Sequence, residues 1–143
     1  DSDYLADLAT WLERVKHAIL ENKIQYVVWC HGADSHADDN LGHQCETEYW
    51  IACSTIFWKW VKEMDALLGR PLPVACALFG GYRDDDYNSV LSLHTADFVE
   101  CLNHVLELGI KYTIEVQPRQ KFIQSNGRVN GSRLSRKRVD EEI

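Results

Sequence analysis

Three stretches of the chain repeat apolar residues every three or four positions, a spacing typical of amphipathic helices. They predict helices over residues 3–21, 46–68 and 95–108. Gly69 and Gly109 follow the last two stretches and are expected to end those helices. Trp58 falls off the apolar stripe of the second helix, so we expect it to be a contact residue on the surface.

The segments between these helices have the pattern of strands. Residues 24–30 and 74–79 are nearly continuous apolar runs, which predicts buried parallel strands. Residues 111–116 alternate between polar and apolar, which predicts an exposed or edge strand. The repeated order of helix and strand predicts an α/β fold with three layers and a mostly parallel sheet.

Two unusual loops directly follow the two buried strands. Residues 31–45 are rich in histidine, aspartate and glycine, and residues 80–86 begin Gly80-Gly81-Tyr82 and become acidic. If the strands are parallel neighbours, both loops lie at the carboxyl edge of the sheet, where such folds bind ligands. We therefore expect a functional site at this edge.

The first loop carries candidate metal ligands. Asp34 stands just past the strand end, and Asp34-Ser35-His36 has an Asp-x-His spacing compatible with zinc. In the second loop, the two glycines allow close approach of the backbone to a ligand. The Tyr82 hydroxyl can then donate to an oxyanion. The alternative is that both loops are ordinary solvated turns, with His31, His36 and His43 exposed.

Charge divides the chain of 143 residues into two parts. The whole carries −7, but residues 117–143 hold seven basic and three acidic residues, a net +4, which leaves −11 for residues 1–116. We expect one α/β domain over 1–116 and a basic extension over 117–143, with turns at Asn126-Gly127 and Asn130-Gly131. An acidic body repels phosphates, so nucleic acid is not the expected partner.

Cysteine usage and hydropathy bear on the compartment. The five cysteines lie scattered in apolar segments, and most of them are expected to be reduced core residues, which favours the cytoplasm. No apolar run approaches the ~20 residues of a membrane helix. The opening Asp-Ser-Asp resembles the interior of a longer sequence rather than a secretory leader.

Several motifs together resemble the carboxyl-terminal half of the histone deacetylase family, which includes bacterial acetylpolyamine and acetoin-utilisation-type amidohydrolases. The resemblance covers roughly residues 3–108. It rests on these segments: Tyr26 to Cys30, Gly32-Ala33-Asp34-Ser35, Asp39-Asn40-Leu41-Gly42, the helix from Glu48 to Leu68, Leu72-Pro73-Val74 and Phe79-Gly80-Gly81-Tyr82.

The resemblance implies a zinc amidohydrolase of the arginase-deacetylase fold acting on acetylated amines. Asp34 would be the second aspartate of the zinc site, and Tyr82 would stabilise the tetrahedral intermediate. Asp39 matches the acid that shapes the loop, with Gly32, Gly80 and Gly81 in support. The family's His-His pair and its first Asp-x-His pair are missing, and His36 stands where relatives vary.

Three hypotheses remain open. The chain is a deacetylase-like half domain, inactive alone, that forms homo-oligomers or pairs with a complementary chain. Alternatively, it is an active zinc deacetylase whose site another chain completes, or in which His31, His36 and His43 form a different metal site with Asp34. The third hypothesis is a non-enzymatic binding module that uses the basic extension.

Overall fold

Helices and short strands alternate along the chain in the computed structural model, which describes residues 2–119. The elements are α1 (Ser2–Leu20), β1 (Val27–Cys30), α2 (Thr47–Leu68), β2 (Val74–Ala77) and α3 (Tyr87–Val105), with a 3-10 turn at Ala33–Ser35. They form a small α/β domain. The predicted turns at 126–127 and 130–131, and most of the basic extension, lie outside the described residues.

The two strands pair in parallel, as the sequence predicts. Val27 lies opposite Val74 and Cys30 lies opposite Ala77. Both strands are shorter than the apolar runs that predict them. The described residues form a sheet of these two strands only, so the coarse α/β class is confirmed and the wider sheet is not.

The sheet has one covered face and one open face. Val27, Trp29 and Val74 pack against the main hydrophobic cluster, to which all three helices contribute. Residues that alternate with them point the other way. Val28 on this opposite face is 51% exposed, and Cys30 and Ala75 are exposed as well. We call the surface of Tyr26, Val28, Cys30, Ala75 and Phe79 the outer face.

The core is centred on α2, which packs between α1 and α3. Phe57 and Met64 are fully buried on this helix, and Trp29 of β1 stacks on Phe57 with ring centroids 3.9 Å apart. The prediction that Trp58 is a surface contact residue is wrong, because it is 4% exposed. A helix with neighbours on two sides buries more than one stripe, so a side chain off the main stripe still faces α3.

The third helix begins eight residues earlier than the prediction of residue 95. The Asp86 carboxylate accepts hydrogen bonds from the backbone N–H groups of Asn88 and Ser89, at 3.0 and 3.4 Å, and so caps the helix. Thr95, at the predicted start of the helix, lies inside α3. The helix ends at Val105 rather than at 108, and Glu107 and Gly109 have positive φ angles of 57° and 64°.

The strand predicted over 111–116 is absent, since residues 107–119 have no regular secondary structure. Their backbone bonds to side chains of α3 instead of a neighbouring strand: Glu115 N donates to Ser92 Oγ at 3.0 Å and Gln117 N to Ser89 Oγ at 2.9 Å. Ile114 and Val116 pack against the buried cluster that includes Val90 and Leu93. The alternating pattern therefore reflects an extended segment on a helix, which we call the C-terminal strap (residues 110–119).

All five cysteines are free thiols. Cys45 and Cys53 are buried and Cys101 is half-buried, whereas Cys30 and Cys76 are exposed and do not have the core position expected for most of the five. They lie on a two-stranded sheet with free edges among the described residues, where strand residues stay accessible. Within residues 2–119, none of the helices has the length and hydropathy needed to cross a membrane.

Candidate functional site

The two polar loops meet at the carboxyl edge of the sheet, as expected. Ala33 N donates to the carbonyl of Phe79 at 3.0 Å. Two side chains also join the loops: Asn40 Nδ2 donates to Asp84 Oδ1 at 2.6 Å, and Asp39 accepts from the backbone of the second loop. The parallel register of β1 and β2 brings these loops together, because it places both strand ends at one edge.

Asp34 lies in a space that two glycines leave open. A β-carbon added at Gly80 would lie 1.8 Å from Asp34 Oδ1, and one added at Gly32 would lie 2.1 Å from the same atom. Gly80 also has a φ of 62°, a conformation that other residues rarely adopt. The Asp34 side chain accepts no hydrogen bond and forms no ion pair within residues 2–119. It is a half-buried carboxylate with capacity for a ligand.

Gly81 fixes the second loop against α3. Its φ is 89°, and a β-carbon there would lie 2.3 Å from Val90 Cγ1. The Gly-Gly pair therefore serves two contacts, one with Asp34 and one with the helix. Tyr82 follows with an exposed side chain, so its hydroxyl is accessible at this edge.

Asp39 is the polar centre of the first loop. It is 1% exposed, and its carboxylate accepts two backbone hydrogen bonds, from Leu41 N at 2.8 Å and from Tyr82 N at 2.7 Å. Hydrogen bonds to a carboxylate are stronger than neutral ones. Asp39 thus holds both its own loop and the backbone of Tyr82.

His36 is buried, and both of its ring nitrogens have protein partners. Nδ1 accepts from Asp38 N at 3.1 Å, which leaves the proton on Nε2, 2.8 Å from Thr47 Oγ1. Burial lowers the pKa of His36, which favours this neutral form. In this arrangement neither nitrogen is free to bind a metal beside Asp34.

The alternative that all three loop histidines are exposed is wrong for His31 and His36, and right for His43. His31 is buried because it stacks on Trp50, with ring centroids 3.9 Å apart. His43 lies on the surface, where Nδ1 faces the Ala37 carbonyl at 3.0 Å. The three rings point to different partners and do not converge on Asp34.

A buried polar network under the site was not predicted. Asp97 of α3 accepts hydrogen bonds from Trp58 Nε1 at 2.9 Å and Trp29 Nε1 at 3.1 Å, and lies 3.6 Å from His31 Nδ1. Burial alone would raise the pKa of Asp97, but His31 and the hydrogen bonds from Trp58 and Ser54 hold it below its usual value.

This network does not have the geometry of a nucleophilic triad. Ser54 Oγ lies 3.1 Å from His31 Nδ1, the same ring nitrogen that faces Asp97. A triad needs the serine and the carboxylate on opposite ring nitrogens. Ser54 is also fully buried. The network therefore has a structural role beneath the two loops of the site.

His94 connects this polar network to the second loop. Its side chain is buried on α3, and its pKa is lowered mainly by burial, against the opposing effect of Asp97 and a hydrogen bond with the Gly80 backbone. An acid at position 97 and another at 100, within the apolar pattern of the third helix, is the sequence signal that could have indicated buried carboxylates.

Two further features bound the candidate site. Within residues 2–119 no three histidine, cysteine or acidic side chains are grouped to hold a metal ion. An apolar groove of about 420 Å³ lies between β2 and α3, lined by Leu78, Leu91, His94 and Phe98 among others.

In comparisons with known proteins, no family model, no curated protein and no solved structure matches this chain.

Proposed function

We propose that the chain is a histone-deacetylase-like half domain that is inactive alone and functions in an oligomer or with a complementary chain. The observation that carries this proposal is the Asp34 carboxylate, which Gly32 and Gly80 accommodate and which forms no hydrogen bond or ion pair with residues 2–119. It stands at the carboxyl edge of a parallel sheet, beside the loop of Tyr82. This is the arrangement that the resemblance implies for one half of a zinc amidohydrolase site.

The candidate zinc ligands present in this chain support the proposal that the site is incomplete. Asp34 would supply one ligand to zinc, whereas a catalytic zinc needs about three protein ligands. His36 cannot bind zinc without losing Thr47 or the Asp38 amide. The remaining ligands would come from another polypeptide. The wider, three-layer sheet belongs to the same proposal, since parallel sheets are usually covered on both faces.

The open surfaces support a need for a partner. Val28 and Phe79 of the outer face are 51% and 44% exposed, and the groove beside β2 exposes Leu78 and Leu91. Exposed apolar surfaces of this kind are typical of interaction sites. We propose that the outer face binds a second copy or a complementary chain. The free thiols fit a reducing compartment, so we propose the cytoplasm.

Light scattering over a range of concentrations tests the assembly. We expect the chain to form a dimer or larger oligomer, and Val28→Lys on the outer face to weaken it. Leu67→Lys is the matched control, because Leu67 is 57% exposed on α2 and belongs to neither hydrophobic cluster. A wild-type monomer at high concentration, with no complementary chain captured by its outer face, would contradict the proposal.

A second candidate is an active zinc deacetylase whose site another chain completes. The accessible side chain of Tyr82, in the same loop as the Gly80 that contacts Asp34, favours it. When bound, zinc would polarise the amide carbonyl of an acetylated amine and activate water. The Tyr82 hydroxyl would donate to the resulting oxyanion. Hydrolysis of an acetyl-lysine peptide that Asp34→Ala and Tyr82→Phe both abolish would support it; activity unchanged by both substitutions would exclude it.

The binding-module alternative depends on the basic extension. Its charge of +4 over residues 117–143 is the only feature in its favour. Binding of nucleic acid through this segment would weaken steeply with salt. Absence of binding, or binding insensitive to salt, would exclude it.

A further inference from the structure

The C-terminal strap (residues 110–119) is held along the whole of α3, although it has no secondary structure. Asn103 and Ile110 exchange two hydrogen bonds at 2.6 and 2.9 Å, and the Tyr112 hydroxyl donates to the buried Glu100 at 2.6 Å. The bonds of Ser92 and Ser89 follow, so the strap runs back from the end of α3 to its beginning. It therefore delivers residues 117–119 to the candidate site.

At that point the strap contacts both loops of the site. Arg83, which directly follows Tyr82, is buried; it forms an ion pair with Asp85 at 2.8 Å and donates to the carbonyl of Gln117. Two residues later, Arg119 N donates to Asp38 Oδ1 at 3.1 Å, and its guanidinium lies 3.2 Å from His43 Nε2. The strap thus bridges from the second loop to the first.

These contacts close a ring of hydrogen bonds around Tyr82. Asp39 in the first loop accepts from Tyr82 N, Arg83 binds Gln117 of the strap, and Arg119 binds Asp38, next to Asp39. A peptide unit fixed from both sides has few conformations left, and the cost of ordering it is met by several bonds at once.

We infer that the strap is a positioning element for Tyr82, with Arg119 and Asp38 as the contact that closes the ring. The inference rests on the proposed function only in taking Tyr82 as a residue of the site. It extends the site beyond residues 3–108, to a segment that the resemblance does not cover.

The test is amide hydrogen exchange and the amide proton shift of Tyr82 in the full chain. Asp38→Ala with Arg119→Ala opens the ring without altering Tyr82, Asp39 or the core. We expect exchange of the Tyr82 amide to rise about tenfold and its proton shift to move upfield, as the bond to Asp39 becomes less populated. Asp38→Asn keeps an acceptor oxygen for Arg119 N and is expected to retain most of the protection.

Arg70→Ala is the matched control, because Arg70 is exposed and bonds only to the neighbouring Pro71 carbonyl in the described structure. Unchanged Tyr82 exchange and shift in the double variant would overturn the inference. So would a rise that the exposed amides of α1 share equally, since that reports global loosening. The readout needs neither zinc nor activity, so it fails or succeeds independently of the proposed function.

Discussion

The Asp34 carboxylate occupies the space that a side chain at Gly80 would need, with Oδ1 1.8 Å from the position of the absent β-carbon. This relationship joins two residues 46 positions apart in the sequence. It makes glycine at position 80 a requirement of the Asp34 position, and it links the two loops that carry the proposed chemistry.

Gly80→Ala is expected to lower the free energy of unfolding by about 2–3 kcal/mol, because it combines a positive φ with a clash against Asp34. Gly69→Ala is the control. Gly69 has nearly the same φ, 64°, but no atom within 4 Å of its added β-carbon. Its expected cost is about 1 kcal/mol from backbone conformation alone. If urea denaturation shows equal losses of unfolding free energy for the two variants, the Asp34 side chain moves away from the added methyl group at little cost, and the prediction is contradicted.

The Trp58–Asp97 hydrogen bond is expected to stabilise the core. Trp58→Phe leaves the buried Asp97 carboxylate with one donor fewer, at an expected cost of about 1–3 kcal/mol. Trp60→Phe is a matched comparison, because Trp60 is also buried on α2 but its Nε1 has no hydrogen-bond partner in the described structure. Trp60→Phe should therefore lower the free energy of unfolding by less than Trp58→Phe. Urea denaturation of the two variants compares them directly; a larger loss for Trp60→Phe would contradict the network.

Acid is expected to destabilise the protein through Asp97 and Glu100. Burial would raise the pKa of each, but hydrogen bonds and the neighbouring histidines hold both pKa values below the ordinary 3.8 and 4.5. A depressed carboxyl pKa contributes stability that is present above the unfolded value and is lost as the pH falls through the folded value. Stability should therefore fall steeply below about pH 4.

Glu100→Gln is expected to reduce this acid dependence, and Glu63→Gln on the exposed surface of α2 is expected to leave it unchanged. Thermal melting between pH 2 and pH 7 measures both. If the melting temperatures of the two variants fall equally at acid pH, the Glu100 carboxylate does not contribute to stability as its bonds to Thr55 and Tyr112 indicate.

The sequence predicts best where local pattern and tertiary packing agree. The helix expected over 46–68 is α2 within one residue, and the parallel pair β1–β2 follows from apolar runs with a helix between them. The apolar pattern places the start of the third helix too late because Asp86 belongs to an acidic run that resembles a loop, although an aspartate before Asn88 and Ser89 is an ordinary N-cap.

Other features depend on contacts that no local pattern shows. Tyr112, Ile114 and Val116 alternate because the strap lies on α3, and a strand beside a sheet gives the same pattern. His31 and His36 are buried by Trp50 and Thr47, residues of the following helix. The motifs predict Asp34, Gly80 and Tyr82 as site residues, whereas the contacts of Asp97 and of the strap are seen only in the three-dimensional structure.

Thiol reactivity tests whether the outer face is covered in solution. Cys30 lies on that face, while Cys53 is buried and burial raises its pKa to about 12, so only unfolding should expose it. We expect alkylation of Cys30 to slow as protein concentration rises, because assembly covers the face. The kinetic phase of alkylation that disappears in Cys30→Ser is assigned to Cys30. A Cys30 rate independent of concentration would count against assembly through this surface.

Zinc titration by calorimetry, on protein first stripped with chelator, tests the central claim that this chain does not form a complete zinc site without a complementary chain. We predict no tight binding by the chain alone, or weak binding that Asp34→Ala does not change; Glu63→Ala serves as the surface control. Tight binding near one zinc per chain that is lost in Asp34→Ala and kept in Glu63→Ala would contradict the claim, and would mean that copies of this chain assemble a complete site.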